Sequence, residues 1–173
     1  VKIDGQERLL VAAEKHDSCC TFKLSGELDE TVWEEPGGVM TMTPVPGKEN
    51  VFLATHEFYS PNDSANAHLV CAKRKESGWE ITKIADLPFV HRFDVIEHNG
   101  ICYVLACTLK SAHEYKNDWR FPGACFASVL PGDLSPFNAD NQLKLTKIKD
   151  GMLRNHGYSQ VRINGYDAAV VGC

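Results

Sequence analysis

Residues 81–100, ITKIADLPFVHRFDVIEHNG, and residues 145–165, LTKIKDGMLRNHGYSQVRING, carry nearly the same message. Aligned, Thr82-Lys83-Ile84 matches Thr146-Lys147-Ile148, Asp86 matches Asp150, His91 matches His156, and Asn99-Gly100 matches Asn164-Gly165, with one extra residue before His156. Apolar and polar residues alternate on both sides of each histidine. The repeated unit therefore reads as a strand, a short connection, another strand and an Asn-Gly turn.

Working outward, short strand candidates follow one another along the chain, from RLLVAAE and CTFKL to YSQVRI and DAAVVGC, with turn signals such as Pro-Gly-Lys, Glu-Ser-Gly and Pro-Gly-Asp between them. No segment keeps a helical period over three turns, so the chain reads as all-β. The apolar runs near Leu9, Val51, Ile101 and Asp167 hold equivalent places, about 42, 50 and 66 positions apart. Such spacing, with four strands per unit, is the pattern of β-propeller blades, the third interval being stretched by a long loop. Residues 37–85 and 86–150 are expected to be whole four-stranded antiparallel blades. Residues 1–36 would supply the outer strands of one partial blade and 151–173 the inner two strands of another. A ring needs at least about four blades. Further blades, from the rest of a longer chain or from a second chain, are thus expected partners. A sandwich or barrel of eight to twelve strands is the competing fold.

Composition narrows the functional classes. With 173 residues and 43% hydrophobic content the chain can bury an ordinary core. Eighteen basic against 23 acidic residues, with no dense Lys/Arg run, argue against a nucleic-acid partner. No apolar stretch reaches the roughly 18–20 residues of a membrane span, and the opening VKIDGQERLL lacks the features of a secretory signal. The seven cysteines are odd in number and form no Cys-x-x-Cys pair. Most stand in apolar runs, where a thiol serves as a small hydrophobe, which points to a reducing, cytoplasmic setting. The vicinal pair Cys19-Cys20 is read the same way.

The repeat also selects the candidate chemistry. His91 and His156 open equivalent innermost strands, so their imidazoles should meet at one funnel mouth. There they could hold a divalent metal or serve as acid and base near neutral pH; the plainer reading is a hydrogen bond that repeats with the scaffold. Two loops should share that face, THEFYSPNDSANAH and TLKSAHEYKNDWRFPG, with a common triplet, His56-Glu57-Phe58 and His113-Glu114-Tyr115. The second adds Lys110, Lys116, Asp118, Trp119 and Arg120. Long loops on rigid scaffolds often carry function, and this mixture of charge and indole suits a polar ligand with flat apolar faces, such as a sugar. Alternatively, Trp119 and Phe121 only pack a solvated insertion against the blade. PNDSAN lacks the alternating acids of a calcium loop. Gly-rich phosphate loops, the Gly-x-Ser-x-Gly elbow and His-Glu-x-x-His are missing, so no nucleotide cofactor is expected.

Residues LPFVHRFDVIEHNGICYVLACTLKSAHEYKNDWRFPG and then GMLRNHGYSQV, within 37–173, resemble uncharacterised bacterial β-propeller proteins of the FG-GAP and VCBS-like type, and more distantly the propeller of aldos-2-ulose dehydratases. Asn155–Tyr158, NHGY, is the most distinctive part. The Asp-x-Asp-x-Asp-Gly loops of many FG-GAP repeats are missing. The resemblance implies a funnel with His91 and His156 at its mouth, a divalent metal (Zn or Mg) held between them, and lyase or dehydratase chemistry on a carbohydrate. Glu57, Glu114 or Lys110 would then act as base, with His56, His113, Tyr115, Asp118, Trp119, Arg120 and Tyr158 contacting the ligand. The alternative is a non-catalytic platform that binds a protein or glycan partner through the aromatic loop residues.

Overall fold

The computed structural model describes the backbone of residues 1–173 and every side chain except those at positions 166 and 167. The chain is all-β, without a helix among the described residues, and so without a helix long and apolar enough to cross a membrane. Fourteen strands form three four-stranded antiparallel sheets and a terminal hairpin. The first sheet holds β1 (Lys2–Ile3), β2 (Gln6–Ala12), β3 (Cys19–Lys23) and β4 (Leu28–Trp33). The second holds β5 (Met42–Pro44), β6 (Val51–His56), β7 (His68–Lys75) and β8 (Gly78–Asp86). The third holds β9 (Val90–His98), β10 (Ile101–Thr108), β11 (Gly123–Leu130) and β12 (Thr146–Met152), and β13 (Gly157–Ile163) pairs with β14 (Tyr166–Gly172). In each sheet the strands pair in chain order.

Local chemistry sets this order. The turn joining the first two strands is Asp4-Gly5 in the first sheet, Asn99-Gly100 in the third and Asn164-Gly165 in the hairpin, each with positive φ at both residues. Asx-Gly tolerates that pair of conformations and matches the twist of the flanking strands. The runs starting near Leu9, Val51, Ile101 and Asp167 fall on β2, β6, β10 and β14, the second strand of each unit. Residues 1–36 differ from expectation: they form a four-stranded sheet of their own, not only the outer strands of a blade. β1 has two residues, too few to show a period, and is held by pairing to β2.

Packing runs face to face along the chain. Phe52 and Ala54 of β6 join Cys19, Val32 and Trp33 of the first sheet in one core, while Val51 and Leu53 join Val95, Val104 and Ala106 of the third in another. Buried on both faces, β6 is continuously apolar before its last two residues, as a strand between two neighbours should be. A smaller core of Cys107, Cys125 and Met152 lies under Tyr158 and Val171 of the hairpin. The first strands also lie side by side, β5 against β9 and β9 against β13, while outer strand β4 touches β8. That arrangement places three edge strands around one groove.

Candidate functional site

Strand β9 reads VHRFDVIEH, and its alternation separates two tasks. Phe93 and Val95 enter the core. Arg92 and Asp94, on the other side of the pleat, line a groove of about 650 Å³ with residues 40–43 of the β5 segment and His156, Gly157 and Tyr158 at the start of β13. Asp94 ties the three first strands together. Its Oδ1 accepts from Thr43 Oγ1 at 2.9 Å and its Oδ2 from Gln160 Nε2 at 2.6 Å. Arg92 donates to the Met40 carbonyl at 2.6 Å.

His91 and His156 meet beside this groove, their ring centroids 4.2 Å apart and tilted by 41°. His91 is 2% exposed and also packs on Phe58 at 5.0 Å. Burial, with smaller contributions from His156 and Arg92, pushes its pKa down to about 4, so it is neutral at pH 7. Its Nδ1 has no hydrogen-bond partner. His156 is exposed. Tyr158 is half-buried, its hydroxyl unpartnered and its pKa raised by burial. As a metal site the pair is incomplete: among the described residues no three His, Cys, Asp or Glu side chains form a metal-holding group.

The other site candidates fall in two places away from this groove, one around His56 and one in the loop 109–122. His56 packs edge-on against Trp33 at 4.6 Å and beside His68 at 5.7 Å, and burial pushes its pKa down to about 3. Glu57 reaches His68, with Oε2 3.6 Å from Nδ1. These residues line a separate hollow of about 440 Å³ between the first and second sheets. From the triplet His56-Glu57-Phe58 only Phe58 contacts His91.

The loop 109–122 folds onto itself. Asp118, 1% exposed, accepts from Arg120 Nε at 2.9 Å, Arg120 Nη2 at 2.8 Å and the backbone N–H groups of Glu114 and Arg120, and the Arg120 guanidinium holds its carboxyl far below the usual range. Glu114 is engaged by Arg120 at 2.6 Å, and Tyr115 lies under the same guanidinium. Lys110 is fully buried, its Nζ 3.3 Å from His113 Nδ1 and 5.0 Å from the Trp119 ring, and desolvation lowers its pKa. Trp119 packs against the main core. Asn62 latches this loop to the preceding one through both amide atoms, to Asn117 N at 2.8 Å and Asn117 Oδ1 at 2.9 Å. The three base candidates, Glu57, Glu114 and Lys110, thus occupy three different environments.

Sequence reasoning passed over Thr43, Arg92, Asp94, Gln160 and His68. The available signal was the alternation of Arg92 and Asp94 with Phe93 and Val95 in the first strand.

Comparison with known proteins adds to the fold alone. No protein-family model matches the sequence, and no curated protein matches it. Among solved structures, hydrazine synthase from Kuenenia stuttgartiensis is similar in fold, with a TM-score of 0.55 and 10% identity over 91% of this chain. The chain spans 44% of the matched chain's length.

Proposed function

We propose that the chain is a portion of a β-propeller and that the groove among β5, β9 and β13 binds a small polar, carbohydrate-like ligand as a non-catalytic platform. The side-by-side first strands and the face-to-face sheets support the propeller reading. The observation that carries the binding role is the convergence of Thr43, Arg92, Asp94, His156 and Tyr158 from three strands on one open groove. It offers a carboxylate, a guanidinium, a hydroxyl and an imidazole beside the apolar edges of Met40 and Met42. A hydroxyl-rich ring presents donors and acceptors together with a less polar face, which this lining complements. Calorimetric titration with a panel of neutral and oxidised monosaccharides tests it. At least one should bind, and Asp94→Asn should weaken it about tenfold or more; a panel without binders, or an unchanged variant, removes the reading.

One observation favours a second reading, a lyase acting on a carbohydrate. His91, held neutral by burial, keeps an unpartnered Nδ1 and packs against exposed His156, which lines the groove. A divalent ion, Zn or Mg, would find two imidazole donors there, and no step is derived through it. Turnover of a bound sugar that is lost in His156→Ala, with binding retained, would favour this reading over the platform.

A further inference from the structure

Three sulfur atoms from three neighbouring strands touch beneath the hairpin. Cys107 of β10 stands directly opposite Cys125 of β11, with their Sγ atoms 3.3 Å apart, and Cys125 Sγ is 3.3 Å from Met152 Sδ of β12. All three residues are buried. Asn155, fully buried in the short connection to β13, caps the group: its Nδ2 lies 3.5 Å from Cys125 Sγ and 3.7 Å from Met152 Sδ, and 3.3 Å from the Ala124 carbonyl. Its Oδ1 has no partner.

Packing alone would be served by alanine or valine at these positions, and an amide with an orphaned oxygen is costly in an apolar core, by about 1–3 kcal/mol. The geometry points to a soft-metal site in which Cys107, Cys125 and Met152 bind one Cu(I) ion and Asn155 supports the thiolate ligands. Two thiolates and a thioether are the donors that select Cu(I) over harder ions. Loading is a ligand exchange without electron transfer. Two copper–thiolate bonds and one copper–thioether bond form, two S–H bonds break, and both protons leave to solvent. An amide N–H directed at the Cys125 sulfur offsets part of the resulting negative charge, as outer hydrogen bonds do in metal sites. With metal–sulfur bonds of about 2.3 Å, a trigonal site sets sulfurs roughly 4 Å apart, so the cluster must open by about 0.7 Å. The residues on either side of Asn155, Arg154 and His156, are exposed.

The test is an anaerobic titration with Cu(I) carried by bicinchoninate, in a chain bearing Cys20→Ser and Cys173→Ser to remove two of the three thiols that are not buried. The expected result is one equivalent of copper withdrawn per chain, three sulfur neighbours by X-ray absorption, and affinity weakened about 100-fold in Cys125→Ser and about tenfold in Met152→Leu, with Cys102→Ser unchanged. Met152→Leu conserves core volume and keeps the comparison usable if the serine variant fails to fold. The proposal is overturned if no copper leaves the carrier or if Met152→Leu binds as tightly as its parent. It is equally overturned if the chain emerges two hydrogens lighter, with a Cys107–Cys125 disulfide and no metal.

Discussion

His56 closes β6 and His91 opens β9, and each is 2% exposed with one ring nitrogen unpartnered. They differ in what surrounds them. His56 is enclosed by Trp33 and His68 between two sheets, whereas His91 rests on exposed His156, which lines the groove. Burial depresses both pKa values, so a perturbed pKa alone does not mark a site; the neighbours that open it to a ligand do. The loop 109–122 makes the same point with full charges. Asp118 and Arg120 are strongly perturbed, yet they satisfy each other within the loop, while Arg92 and Asp94 line a groove that stays open.

Acid should produce the largest effect on this comparison. The unfolded chain protonates both histidines below about pH 6.5, but the folded chain resists until about pH 3 for His56 and about pH 4 for His91. Their stabilising contribution is therefore complete above pH 6.5 and lost as the pH falls. At pH 5 each histidine should cost about 2 kcal/mol, measured by denaturant unfolding at pH 7 and pH 5. His56→Phe and His91→Phe should each remove about half of that dependence. If only one does, the two sites are not equivalent in burial.

Ligand affinity should separate the same two places next. Arg92→Ala should weaken saccharide binding about tenfold, whereas His68→Ala, in the separate hollow, should leave it within twofold. Equal losses would mean that the hollow and the groove act as one site. Asp118→Asn should loosen loop 109–122, raising its proteolytic cleavage about tenfold while saccharide affinity stays within twofold. The smallest effect belongs to Tyr115→Ala. Exposed beneath Arg120, it should change neither stability nor saccharide affinity measurably, unless the loop is the binding platform.

Much of the architecture was readable because strand alternation and Asn-Gly turns are local signals. The repeated Asn99-Gly100 and Asn164-Gly165 placed His91 and His156 at equivalent strand starts, and their rings do meet. What the residues could not show was which charged groups satisfy one another. Glu57, Glu114 and Lys110 looked like available bases because linear order hides His68, Arg120 and the aromatic cage of Phe89 and Trp119. Asp94 was hidden for the opposite reason: its partners, Thr43 and Gln160, lie in strands far from it in sequence and close in space.

The most direct measurement of the groove's role is a set of backbone amide NMR spectra of the intact chain as a bound monosaccharide is added. The account predicts shifts concentrated at Thr41–Thr43, Arg92–Asp94 and His156–Tyr158, with loop 109–122 and the hollow around His56 unmoved. Shifts confined to Tyr115–Phe121, with none along β9, would contradict it.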